Sequence, residues 1–246
     1  MSSTMTLDRL SLDRRRFPGG IAIALAILTA GCHSQSGDSP DTLLERGRLM
    51  MAREEFSEAV EPFSQLIAAQ PNNAEAYYER AVAYDRQGLL QEAAADYDTA
   101  IRLRPSLSEA HNNRAALMAR NENFEEAVSG FSRAIELNPQ DALAHQNRGL
   151  ARHDLGDFVQ AEADFQQAIA LSPASAEPWF LLGNCELEAQ HYEQAIESLT
   201  KAIQLNPLHA KSWNNRSKAH ELAGHDSEAA TDRSRAEEID PSLAAK

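Results

Sequence analysis

The chain is poor in aromatic residues, in cysteine and in positive charge. Phe, Trp and Tyr make up 6% of its 246 residues. With Ala, Glu, Gln and Leu in excess, that scarcity favours helices over a sandwich or barrel. Two cysteines cannot build a disulfide scaffold. Lys and Arg number 23 against 37 Asp and Glu, a net charge of −14. This argues against nucleic acid as the main partner, because phosphate binding needs clustered cations. Glycine and proline are also few, 11 and 10 residues, against 42 alanines. What remains is an acidic, helical chain long enough to bury a sizeable core, as one large domain or two small ones.

Long apolar runs are nearly absent, and the exception lies at the N-terminus. Arg14, Arg15 and Arg16 precede an apolar stretch from Ile21 to Ala30, followed by Gly31 and Cys32. A basic stretch, a short apolar run and a small-residue site predict a secretory signal peptide over 1–31. The run is about half the roughly 20 residues that a membrane-spanning helix needs. Leu28-Thr29-Ala30-Gly31-Cys32 resembles a bacterial lipobox, which implies that Cys32 is lipidated and becomes the first residue of the mature protein. Thr29 departs from the usual Leu. Residues 32–39 then read as a lipid anchor and polar tether. Arg14-Arg15-Arg16-Phe17 also resembles the twin-arginine export motif, with Asp13 and Pro18 as departures, so two export routes stay open.

A single period organises the rest. Pro71, Pro105, Pro139, Pro173, Pro207 and Pro241 each follow the last by 34 residues. Setting this proline at position 32 defines six units: 40–73, 74–107, 108–141, 142–175, 176–209 and 210–243, with a tail at 244–246. Position 8 is small (Gly47, Ala81, Ala115, Gly149, Gly183, Ser217), and position 20 is alanine in every unit, from Ala59 to Ala229. Small residues at two such places let antiparallel helices approach closely. Large residues at position 24 (Phe63, Tyr97, Phe131, Phe165, Leu199) and isoleucine at position 28 fill the space between pairs. Gly88, Gly156 and Gly224 at position 15 suit a turn with positive φ. The proline ends the second helix of each unit. In the last unit Asp226, Arg233 and Glu237 replace apolar residues, as expected of a repeat with no following neighbour.

The pattern resembles the tetratricopeptide repeat: aromatic at position 4 (Tyr77, Trp179, Trp213, with His111 and His145 substituting), Gly or Ala at 8, Ala at 20, aromatic at 24, Pro at 32. The resemblance implies an all-α, right-handed superhelical solenoid of six helix-turn-helix units. It also implies that positions 2, 5, 6, 9, 12 and 13 of the first helices face a concave groove that binds protein or extended peptide. Candidate groove residues are Tyr78, Glu79, Asn112, Asn113, Gln146, Asn147, Phe180, Asn214 and Asn215. Asn113, Asn147 and Asn215 resemble the asparagine ladder with which some family members clamp a peptide backbone; Leu181 interrupts it. An amide both donates and accepts, so such a contact tolerates many sequences. Tyr78 and Phe180 are expected as apolar anchors, and acids gathered in the first two units (Asp41, Glu45, Glu75, Glu79, Asp85) as a surface for a basic partner.

No phosphate loop, HExxH pair, CxxC or glycine-rich fingerprint is present. His111 and His145 read as packing residues, His153-Asp154 with Asp157 as a solvated helix end, and Cys185 as a small packing residue. No catalytic residue, metal site, cofactor, small-molecule substrate or nucleic-acid partner is expected. The expectation is an exported scaffold, lipid-anchored in the cell envelope through Cys32, in the outer membrane of a Gram-negative source. It resembles the pilotin lipoproteins of type IV pili and lipoprotein adaptors of cell-wall hydrolases. A co-chaperone without an anchor and a regulatory subunit of an enzyme are the alternatives.

Overall fold

The computed structural model describes residues 38–245. The signal-peptide and Cys32 expectations lie outside them. Among the described residues there are twelve α-helices and no strand. In chain order they are α1 (Pro40–Ala52), α2 (Phe56–Ala69), α3 (Ala74–Gln87), α4 (Leu90–Leu103), α5 (Ser108–Arg120) and α6 (Phe124–Leu137). Then come α7 (Ala142–Asp154), α8 (Phe158–Leu171), α9 (Ala176–Glu188), α10 (Tyr192–Leu205), α11 (Ala210–Ala223) and α12 (Asp226–Ile239). A 3-10 turn, Pro241–Ala245, follows. The described residues divide into two compact units, one ending at Leu117 and the other starting at Met118.

Local chemistry sets the helix ends. Ser39, Asn73 and Asp141 cap α1, α3 and α7, their side chains accepting from backbone N–H groups of the first turn. At the other end of each pair, the residue before the position-32 proline leaves the helical region: φ is −135° at Gln70 and −138° at Arg104. A following proline disfavours αR there, and the second helix stops.

Between the two helices of every pair, position 15 has positive φ. Gly88, Gly156 and Gly224 sit at 80°, 78° and 84°, but Glu54, Glu122 and Gln190 take the same place at 61°, 61° and 66°. The left-handed turn is thus common to all six pairs, although glycine marks three. After it, the backbone N–H of position 16 donates to the carbonyl of position 11, as in Leu89 to Tyr84 at 2.9 Å and His225 to His220 at 2.8 Å. That closure brings the side chains of positions 11 and 16 together.

Close approach at position 8 is real. An added Cβ at Gly149 would lie 2.7 Å from the Phe165 ring, and one at Gly183 would lie 2.6 Å from Leu199 Cγ. In the first unit Phe63 and Tyr97 are fully buried with Ala59, Ala81 and Ala93 around them. In the second, Phe165, Phe180, Leu181 and Leu199 form the corresponding core. In the last pair Asp226 and Arg233 are exposed, as the polar pattern predicts, while Glu237 is half-buried.

In the second, fourth and sixth repeats an arginine at position 7 locks the pair to the one before it. Arg80 donates to both oxygens of Asp96 at 2.7 and 2.9 Å and to Ser64 of the preceding pair at 3.0 Å. Arg148 does the same with Asp164 and Ser132, and Arg216 with Asp232 and Thr200. The three aspartates are buried. Arg46 and Arg114 form the corresponding ion pairs differently, with Asp38 and Asp98. In the fifth repeat Leu182 replaces the arginine and Ser198 the aspartate. Both the glycine turns and the Arg–Asp staples fall in alternate repeats, so the chain also repeats at 68 residues.

Candidate functional site

The first helices carry the candidate binding face, and its polar groups are largely engaged with one another. In the first unit Arg48 donates through Nε and Nη2 to Glu79 Oε1 at 2.8 and 2.7 Å, and also pairs with Glu75. Two of the acids expected to attract a basic partner are therefore neutralised within the chain, and Asp85 is buried. Asp41 and Glu45 stay exposed. Tyr78 is buried rather than a free anchor: its ring lies 6.1 Å from that of Tyr97, and its hydroxyl accepts from Asn113 Nδ2 at 3.3 Å. Asn112 donates to Asn113 Oδ1 at 3.1 Å, and both amides are fully buried.

The second unit repeats this logic with more exposure at its end. Gln146 and Asn147 are buried. Phe180 is also buried, edge-on to His209 with centroids 4.6 Å apart, so it too holds helices together instead of offering an open anchor. Asn214 donates to Asn215 at 3.3 Å, and Asn215 Nδ2 donates to Asn184 Oδ1 at 2.6 Å. Asn184 was not anticipated as a rung. It stands three residues after the interrupting Leu181, on the same helix face, and that spacing was the available signal. Asn214 and Asn215 are half-exposed, flanked by exposed Lys211 and Lys218 on one face of α11. Lys211 also lines a depression of about 570 Å³ with Glu177, Phe180, Leu208, His209 and Asp240, among others.

The histidine expectations divide. Nε2 of His111 and of His145 lies 3.0 and 3.1 Å from the carbonyls of Pro105 and Pro139, and the Trp213 indole donates to that of Pro207 at 2.9 Å. A carbonyl only accepts, so both imidazoles carry the proton on Nε2 and stand in for the tryptophan N–H. That explains why His substitutes at position 4. His153, by contrast, is not at a solvated helix end. It is buried, edge-on to Phe158, with Asp154 at 3.5 Å and Glu188 at 3.4 Å. Cys185 is a free, buried thiol, and burial pushes its pKa well up. Burial likewise raises the pKa of Glu186 to about 7. Burial works against the charge of Asp164 too, yet its ion pairs with Arg148 and Arg152, with the His145 ring 3.9 Å away, hold its carboxyl below the usual range.

Comparison with known proteins decides the family. A tetratricopeptide repeat model matches residues 44–108 and 113–176, and a second matches 153–214. The chain belongs to the tetratricopeptide repeat family. Tetratricopeptide arrays are protein-interaction scaffolds, and the solved structures similar to this one are arrays of the same fold. PilW, a type IV pilus biogenesis factor, superposes with a TM-score of 0.73 at 19% identity, covering 82% of this chain and 94% of PilW. PilF of Pseudomonas aeruginosa superposes at 0.72 and 18% identity, covering 82% and 92%. YrrB, a tetratricopeptide protein described as having an unusual peptide-binding site, superposes at 0.67 and 22% identity, covering 76% and 97%. No curated protein matches the sequence. Among the described residues no helix of this tetratricopeptide protein is long and apolar enough to cross a membrane.

Proposed function

We propose that this tetratricopeptide protein is a non-catalytic scaffold of the cell envelope, anchored by lipid on Cys32, that holds an extended segment of a partner protein on its first-helix face. The observation that carries the binding role is the half-exposed amide pair Asn214–Asn215, linked to Asn184. These amides bond to one another, so a peptide backbone can exchange with them without leaving a buried group unpaired. Asn112, Asn113, Gln146 and Asn147 lie beneath the surface and position that face rather than meet the partner. Exposed Asp41 and Glu45 at the first repeat suit basic residues in the partner. The envelope reading rests on Leu28-Thr29-Ala30-Gly31-Cys32 and on likeness to PilW and PilF, and it makes assembly of an envelope complex the role. Export proceeds through either of the two routes the leader resembles.

Two measurements test it separately. Metabolic labelling with a fatty-acid probe labels the parent chain and not Cys32→Ala; an unlabelled parent rejects the anchor. Asn214→Ala with Asn215→Ala lowers affinity for the native partner by about 1–3 kcal/mol, whereas unchanged affinity rejects the amide site.

A further inference from the structure

The turn of the last helix pair brings two imidazoles together, their planes tilted by 56°. Gly224, in the left-handed region, and the 2.8 Å backbone bond from His225 N to His220 O fold position 16 back over position 11. At the second repeat the same backbone bond joins Leu89 to Tyr84, with no imidazole at either position. Here it brings Nδ1 of His220 to 3.3 Å from Nδ1 of His225, with ring centroids 5.5 Å apart. The opposite nitrogens face carboxylates: His220 Nε2 lies 3.8 Å from Asp232, and His225 Nε2 lies 3.8 Å from Glu193.

We propose that Nδ1 of His220 and Nδ1 of His225 bind one divalent transition-metal ion of the zinc class at this turn. The spacing carries the argument. In the metal-free chain the two Nδ1 atoms, 3.3 Å apart, share one hydrogen bond, with one ring donating and the other accepting. A metal ion takes the place of that single proton, and each Nε2, 3.8 Å from Asp232 or Glu193, then carries its ring's proton. Two nitrogens bound to zinc at about 2.0–2.1 Å with a tetrahedral angle are separated by about 3.3 Å. The backing carboxylates are the partners that orient metal-bound imidazoles and raise their basicity.

The surroundings favour a cation as well. Arg216, which acts electrostatically on His220, is neutralised by its bidentate bond to Asp232. Arg233 is paired with Glu221. Glu193 and Glu228 supply the remaining charge, and Glu228 acts electrostatically on both imidazoles. Among the described residues no three such side chains already converge. The imidazoles therefore provide two bonds, and water or the exposed carboxylate of Glu228 completes the shell. His225 is partly exposed, which leaves the ion a way in.

The test titrates the full chain with Zn²⁺ by calorimetry and with Co²⁺ by visible absorption. One ion per chain is expected at this site, with affinity at least about tenfold lower in His220→Gln and in His225→Gln, and no binding there in the double variant. His191→Gln leaves affinity unchanged. Circular dichroism confirms folding, since the backbone bond that closes the turn survives both substitutions. Equal affinity in the parent and the double variant would overturn the proposal, as would a parent chain that takes up neither metal. In either case the two rings only close the turn.

Discussion

At the level of single residues, the clearest handle is Glu186. Its buried carboxyl binds a proton up to about pH 7, whereas in the unfolded chain it ionises near 4.5. The native state therefore holds a proton that the unfolded state releases, and stability falls as pH rises through this window. Glu186→Gln removes the penalty. We expect its urea midpoint to exceed the parent's at pH 8 by the equivalent of about 1–3 kcal/mol and to converge with it near pH 4. Single residues were also the hardest part of the site to read from sequence. Position and chemistry placed Tyr78, Phe180 and the asparagines on the first helices, but periodicity reports which face a residue occupies, not how deeply neighbouring side chains cover it. Burial of Tyr78 depends on Tyr97 and Asn113, 19 and 35 residues away. Nor could repeat position alone show that Arg48 would neutralise Glu75 and Glu79.

At the level of helices and turns, much more was legible. Six prolines in register, with small residues at positions 8 and 20, specify paired helices because a close approach excludes larger side chains. The turn was readable where glycine marks it. Where Glu54, Glu122 and Gln190 occupy the same left-handed place, the local sequence was silent and the surrounding pair imposes the geometry. Glu122→Gly should therefore stabilise the chain by about 0.5–1 kcal/mol, and Gly156→Ala should cost about 1 kcal/mol, both read as shifts in thermal midpoint. The Arg–Asp staples are a second element-scale device. Arg80→Leu strands a buried carboxylate and should cost about 3–5 kcal/mol. The fifth repeat already shows the neutral alternative, Leu182 with Ser198. Adding Asp96→Ser to Arg80→Leu should thus recover most of the loss in a double-mutant cycle; no recovery would mean that the staple acts through packing rather than charge.

At the level of the whole molecule, the first helices share one chemistry. Amides and charged groups at equivalent positions bond within the chain, and the half-exposed amides lie on α11. Among the second helices α8 presents a different surface: its exposed residues are Val159, Gln160, Ala163, Gln166, Gln167 and Ala170, without a charge among them, whereas α2, α6 and α10 expose acids. If the first-helix face is where a partner binds, contact with that partner must depend on which helix of the pair is probed. The decisive measurement places a photoreactive amino acid at Asn215 or at Gln166 of the full chain and maps crosslinks in cells that express it. Binding on the first helices gives one discrete partner adduct from Asn215, suppressed by excess unlabelled chain, and none of that species from Gln166. The same adduct from Gln166 with none from Asn215 would contradict it.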